Sequence, residues 1–275
     1  VGYNVQAAVD AKHSLVVATH TINRNDKNAL YDISSEAKEN IAAEALTVLA
    51  DKGYHTGKEL QSCQNADINT IVARQEIVNS NEKGTQPEYL IQHFKYNQET
   101  DTYTCPQGET LHTTGKLHTK KRSEDISYQF KKYRTSACNN CAVKHLCTGR
   151  HDGRREIERS EYAEAVERNK YNYESNPQLY RRRQEINEHI FGTIKRQWNL
   201  YYTNLRGLEK VNGELALIMT VYNMKRSKNI LGFAKLMEIL KNWTPKYPGR
   251  GFSIKSRLHI SQNKPFNFFQ ENIAA

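Results

Sequence analysis

Alternating apolar and polar positions open the chain. Residues 3–9 (Tyr-Asn-Val-Gln-Ala-Ala-Val) and 14–19 (Ser-Leu-Val-Val-Ala-Thr) are short β-rich runs joined at Asp10-Ala-Lys-His13, which predicts a hairpin. The pattern then changes period. Ala29, Leu30, Ile33, Ala37 and Ile41 recur at helical spacing behind Asn25-Asp26, a capping pair, so a helix is expected over about 27–44. Leu46-Thr-Val-Leu-Ala50 is a mainly apolar run that stops abruptly at Asp51-Lys-Gly-Tyr54, as a buried strand does when it ends in a polar turn. A short helix near 57–64 and a strand at 69–73 follow.

From about 78 to 160 helical periodicity fades, Gly, Lys and Thr recur, and most of the cysteines are found. This stretch reads as an inserted β-rich module. From Glu161 onward the pattern is strongly helical; Ser175-Asn176-Pro177 breaks and restarts it with Pro at the first helical position. A further helix is expected over about 209–228, with Leu215, Ile218, Met219 and Tyr222 on one face. The expected division is a core part at 1–78, an insert at 79–160, helical completion of the core at 161–245 and a tail at 246–275. This order predicts an α/β protein: a sheet mixing antiparallel and parallel pairs, flanked by helices, with a β-rich insertion before the late helices.

Composition adds exclusions. The hydrophobic fraction is 37% and the mean hydropathy −0.81, and no apolar run approaches the length of about 18 residues that a membrane helix needs. The chain begins Val1-Gly2-Tyr3, directly in strand pattern with neither initiator Met nor signal peptide, and reads as a fragment whose upstream part is missing. Net charge is +10, unevenly spread: between Lys116 and Arg155 eleven Lys and Arg face only Glu124, Asp125 and Asp152, a net of +8. Such a block suits a polyphosphate backbone, and Tyr128, Phe130 and Tyr133 are interleaved with it, so Lys131, Lys132 and Arg134 are expected to contact DNA. The competing reading is a solvated basic surface.

Five cysteines make an odd number, unsuited to a fully paired secreted scaffold. Cys138-x2-Cys141-x5-Cys147, with Cys105-Pro-x-Gly108 some thirty residues earlier, has the makings of a closed, structural four-thiolate site for Zn2+. His145 could displace any one of these ligands. Cys63 stands alone on an amphipathic stretch and reads as core.

Two carboxylates carry candidate chemistry. Phosphoryl transfer on DNA can use two metal ions about 3.5–4 Å apart, and hard Mg2+ or Mn2+ takes oxygen ligands from separate rigid elements. Asp51 directly follows an apolar strand, where sites of open α/β sheets lie; alone, it would pass for a turn Asp before Gly53. Glu188 lies in a helical segment where Arg181, Gln184, Glu188 and Lys195 fall within about 60° of one another, beside a stripe of Ile186, Ile190 and Ile194. Alone, that face would pass for solvated charge with pairs one turn apart.

Taken together, these segments resemble a family. Leu49-Ala50-Asp51-Lys52-Gly53-Tyr54-His55 resembles the second-aspartate motif of the IS4-like and IS1182-like insertion-sequence transposases, and Glu188-His-Ile-Phe-Gly-Thr-Ile-Lys195 their third-carboxylate motif. Gly2-Tyr-Asn-Val-Gln6, Ala8-Val9-Asp10 and Asn25-Asp26 resemble the family's preceding hairpin and helix entry. Trp198, Tyr201-Tyr202, Gly207, Lys210-Val211 and Tyr222-Asn223 resemble its downstream helices. The resemblance implies an RNase H-like fold and a DDE-type transposase: divalent-metal-dependent cleavage and strand transfer on insertion-sequence DNA ends, in a bacterial cytoplasm, with a homodimer at synapsis. Asp51 and Glu188 would be metal ligands, and Lys195 and Arg181 would stand against phosphate. The family's first aspartate precedes the hairpin and is expected upstream of Val1, with Asp10 as a fallback. The Tyr-x2-Arg-x3-Glu spacing carries one extra residue here, since Arg183 is five residues before Glu188 and Tyr180 eight; Arg181 would substitute, or a π-bulge would absorb the extra residue. The alternatives are a catalytically incomplete zinc-containing DNA-binding remnant and an RNase H-like nuclease.

Overall fold

In the computed structural model, which describes residues 2–74, 84–123, 126–149 and 153–243, the opening alternation folds as a hairpin. Strands β1 (Asn4–Val9) and β2 (Val16–Ile22) pair antiparallel. After them come α1 (Leu30–Asn40), β3 (Leu46–Ala50), α2 (Gly57–Asn65) and β4 (Ile68–Val72), then β5 (Lys95–Asn97), β6 (Thr102–Thr104), β7 (Thr110–Thr113), β8 (His118–Ser123) and β9 (Ile126–Arg134). The chain continues with α3 (Lys144–Cys147), β10 (Ile157–Ser160), α4 (Ala163–Ser175), α5 (Pro177–Gly192), a π-helical turn (Thr193–Gln197), α6 (Leu208–Leu231) and α7 (Phe233–Asn242). The expected tail at 246–275 and the expected boundary at 78/79 lie outside the described residues. The protein is thus mixed α and β, and the strand ladders described below are antiparallel.

Two compact units divide the chain: Val1–Leu49 with Asn176–Ala275, and Ala50–Ser175. In the first, Val5, Ala7 and Val9 of β1 alternate onto one face of the hairpin, where Val16, Ile190, Ile194, Met219 and Tyr222 form the core. Ala8 faces the other way, toward Ala18, Ile33 and Ala37 under α1. Val16 and Ala18 serve opposite cores because the register slips between Ala8 and Val9: Ala8 pairs with Ala18 but Val9 with Val16, leaving one extra residue on β2.

Helix α1 is shorter than the periodicity predicts, at both ends. Asn25 caps a 3-10 turn over Asp26–Asn28 by accepting from the Lys27 N–H, and the α-helix starts only at Leu30. Its end is set by Ala42, which takes a left-handed φ of 50° while the N–H of Ala43 donates back to the Lys38 carbonyl. A left-handed alanine carries no glycine to announce it.

Helix α6 docks on β2 through side-chain amides. Asn223 accepts from the Val16 N–H (2.8 Å) and donates to the Val16 carbonyl (2.7 Å); Asn212 accepts from the Thr21 N–H (3.0 Å). The second unit repeats the device. Buried Asn169 of α4 accepts from the Val72 N–H (3.0 Å) and donates to the Val72 carbonyl (2.9 Å), tying α4 to β4. These bonds satisfy backbone groups that would otherwise be buried without partners.

The rest of the second unit is the β-rich module the composition predicts, a six-stranded sheet in the order β10-β9-β7-β6-β5, with β8 also on β9. Its core, Phe94, Tyr103, Leu111, Tyr133 and Ile157, lies on one face.

Candidate functional site

Asp51 stands where the apolar strand predicts, directly after Ala50 at the end of β3 and in the second unit. Its carboxylate is exposed and accepts from the Lys52 N–H (2.7 Å), capping the 3-10 turn Lys52–Tyr54. The turn is followed closely by α2, whose first residue, Gly57, lies against Tyr162. His55, between them, is held below the usual histidine range, chiefly by burial and further by the Arg74 charge.

Glu188 belongs to the first unit, on α5. Ile190 is fully buried in the hairpin core, and two residues of helix turn Glu188 to the opposite, exposed side. Arg181, Gln184 and Lys195 are exposed as well. Pro177 starts the helix as expected.

One expectation is corrected here. The segment from Tyr180 to Glu188 is regular α-helix, so no π-bulge absorbs the extra residue between them. The π turn lies beyond Glu188, over Thr193–Gln197, closed by the Trp198 N–H on the Thr193 carbonyl (3.0 Å). Trp198 and Leu200 pack on the hairpin core, and the wide turn is what brings both there. Lys195 therefore sits on a π turn. Arg183 lies with its guanidinium 5.3 Å from the Tyr180 ring centre.

Lys195 lines a groove of about 890 Å³ in the first unit, with Arg206, Tyr201 and Tyr202 along it and, among the described residues, no acidic residue in its lining. The two tyrosines are 62% and 78% exposed, which is unusual for rings of that size and leaves their faces open to a planar partner. Sequence reading marked the tyrosine pair only as a resemblance and passed over Arg206; the signal was an aromatic pair followed at short range by a cation.

Near the opposite end of the hairpin, Asp10 accepts from the N–H groups of Lys12 (3.3 Å) and His13 (2.8 Å) and meets the His13 ring at 3.0 Å. Burial works to raise its pKa, but those hydrogen bonds outweigh it and hold the carboxyl below its ordinary range. Asp10 is thus engaged in closing the turn. In the same unit His189 Nδ1 lies 2.8 Å from the Tyr222 hydroxyl, which itself donates to the Ser14 carbonyl (3.1 Å). With its proton committed there, the tyrosine oxygen accepts from His189.

The basic block is not a bare cationic surface. Lys131 pairs with Asp101 (2.7 Å), Lys132 with Glu156 (2.9 Å), Arg134 also with Glu156, and Lys120 with Glu158 (2.9 Å). The register explains it: Lys132 lies opposite Glu158 on the β9–β10 ladder, placing the cations beside a strand whose acids begin just past Arg155. On the other face of β9, Asp101 also receives the Tyr133 and Tyr96 hydroxyls (2.6 and 2.8 Å). Chiefly the Lys131 and then the Tyr133 hydrogen bond hold its carboxyl at about 2.

Cys105, Cys138, Cys141 and Cys147 all line one cavity of about 30 Å³ in the second unit; His145 does not line it. All five cysteines are free. Cys63 is core, as expected, and burial pushes its thiol up to about 12. Among the described residues, no three His, Cys, Asp or Glu side chains stand grouped as they would around a bound metal ion, and no helix is long and apolar enough to cross a membrane.

No curated protein and no solved structure matches this chain. Residues 104–227 match a family model, described as Transposase DDE domain; the match spans all four clustered cysteines, Glu188 and Lys195, leaves out Asp51, and supports a transposase, whose chemistry is on DNA.

Proposed function

We propose that the chain is the catalytic portion of an insertion-sequence transposase of the IS4-like or IS1182-like kind, with an RNase H-like core. It would cut and join DNA at the element's ends, with two such chains acting together at synapsis. The observation that carries this is the transposase DDE match across 104–227, within which Glu188 on α5 and Lys195 on the π turn that follows are both exposed. Asp51 joins them by its place at the end of an apolar strand.

Glu188 and Asp51 are the residues that would hold Mg2+ or Mn2+, and their hard, exposed carboxylate oxygens suit such an ion. Bound there, the metal would activate the attacking oxygen and stabilise the leaving one. Arg181 on the helix of Glu188 and Lys195 on the π turn after it, both exposed cations, would meet phosphate oxygens, and Tyr201 and Tyr202 would offer stacking faces beside Lys195. Lys131, Lys132 and Arg134 form a second DNA-contacting group. Their carboxylate partners lower the charge they present, so they contribute less per residue than Arg181 and Lys195.

The test is Mn2+-dependent cleavage of a duplex carrying the element's terminal repeats, read beside binding of the same duplex. Wild type should cleave; Glu188→Gln and Asp51→Asn should bind DNA yet lose cleavage by about a hundredfold or more. Equal cleavage by Glu188→Gln would sink its assignment. Binding without any cleavage by wild type would make the chain a DNA-binding module in place of an enzyme.

A further inference from the structure

Three thiols from one short stretch and a fourth from about thirty residues earlier line one small cavity, and we infer that Cys105, Cys138, Cys141 and Cys147 form a structural Zn2+ site in which His145 and Cys63 take no part. The inference stands apart from the transposase reading, since it concerns how the β-rich module is held together.

The turns that carry the cysteines are separately built and hydrogen-bonded. Cys105 opens a tight turn between β6 and β7: the Gly108 N–H donates to the Cys105 carbonyl (2.9 Å), and the Cys105 N–H donates to the Glu109 carbonyl (2.9 Å). Gly108 takes a φ of 86° there, a conformation glycine adopts without strain. Cys138 sits in the 3-10 turn Ser136–Asn140 that follows β9, and Thr135 caps this turn through the Ala137 N–H. Cys141 closes the next turn by accepting from the Lys144 N–H (3.2 Å), and Cys147 ends α3 with its N–H on the Val143 carbonyl (3.1 Å).

The cavity's size and lining select its occupant. About 30 Å³ has room for a single ion, far below the roughly 300 Å³ where organic-ligand pockets begin. Phe94, Leu111 and Val143 supply apolar wall, so the thiols are the soft donors at hand. Zinc takes four thiolates tetrahedrally at about 2.3 Å. Among the described residues these side chains line the cavity without being grouped around a centre, so zinc would require the four thiols to close on it. His145 is exposed and off the cavity, while Cys63 is fully buried on α2, whose core contacts are α4 and β4.

The site's position gives it work. Cys105 hangs from the β6–β7 end of the sheet and the other three follow β9, while the ladder joining β7 to β9 is short, His112 to Arg134 and Thr113 to Tyr133. Zinc would staple the two halves of the sheet beside that short ladder. A module with so small an apolar core gains from such an anchor.

The experiment measures zinc in the full chain, purified under reducing conditions from zinc-supplemented cells, together with thiol titration before and after chelation. Wild type, His145→Ala, Cys63→Ser and Glu188→Gln should each carry one zinc per chain, and chelation should expose four further thiols. Replacement by Co2+ should give the strong visible absorption of tetrahedral thiolate ligation. Cys138→Ser and Cys141→Ser should lose the zinc. Wild type with little or no zinc and every cluster thiol titrating without chelator would overturn the inference, as would loss of zinc from His145→Ala or Cys63→Ser. Glu188→Gln keeps this outcome separate from that of the cleavage assay.

Discussion

Asn169→Ala tests whether the helix–strand amide clamps hold the fold. Asn169 is 1% exposed, and so is Val72, both of whose backbone groups it engages, at 3.0 and 2.9 Å. Truncation to alanine removes both bonds at once and leaves a buried N–H and a buried C=O. Each such orphan costs about 1–3 kcal/mol, with some relief if water enters the space left, so the loss should be about 2–5 kcal/mol. Asn223→Ala removes the same pair of bonds from Val16, but Asn223 is only partly buried and Val16 is 8% exposed. Water reaches that edge more easily, and the loss there should be about 1–2 kcal/mol. Asn169→Asp should be no milder than alanine: it keeps an acceptor for the N–H but sets a second oxygen against the Val72 carbonyl in a buried place. Because the chain has two units, a single melting curve is a poor reporter. Residue-resolved hydrogen exchange reads the site directly, and the Val72 amide should lose protection by about 30-fold to a few thousandfold. If protection at Val72 falls less than about fivefold, roughly 1 kcal/mol, the clamp is incidental and the burial argument fails.

Three further outcomes follow from contacts in the second unit. Asp101 is held at about 2, below its ordinary 3.8, so its share of stability is present above the ordinary value and fades as pH falls toward 2; Asp101→Asn should remove that acid dependence from tyrosine fluorescence followed between pH 5 and about 2. Neutralising Lys131, Lys132 and Arg134 together should flatten the salt dependence of DNA affinity, while Glu156→Gln, which frees Lys132 and Arg134, should steepen it; slopes that do not move would remove these residues from the DNA-contacting set. A Cβ on Gly57 would lie 2.8 Å from the Cβ of Tyr162, so Gly57→Ala should lower the urea midpoint by the equivalent of about 1–3 kcal/mol in spite of alanine's better helix propensity.

The parts of the fold that were legible in the sequence are those whose cause is local. Two-residue alternation gave the hairpin, β3 matches its expected bounds because Asp51 ends an apolar run, and Pro177 marks the start of α5. What escaped has its cause elsewhere in the chain. The charge count between Lys116 and Arg155 stopped one residue short of Glu156, and Asp101 lies thirty residues before its partner Lys131, so Lys120, Lys131, Lys132 and Arg134 from a block that summed to +8 stand in ion pairs with acids outside it. The π turn depends on where Trp198 and Leu200 find the hairpin core, which no spacing between Tyr180 and Glu188 encodes. Asn169, Asn212 and Asn223 leave no periodic trace at all, because a lone asparagine acquires its meaning only when a strand's N–H or C=O is set against it. The candidate site divides in the same way. Asp51 and Glu188 draw attention singly, each from its own element, and the four cysteines as a spaced motif; what the fold adds is that the turns carrying them, from the β6–β7 connection and from the segment after β9, line the same cavity. Spacing alone left His145 in contention as a ligand; it does not line the cavity, and a measurement of zinc in His145→Ala therefore tests the folded arrangement and not merely the motif.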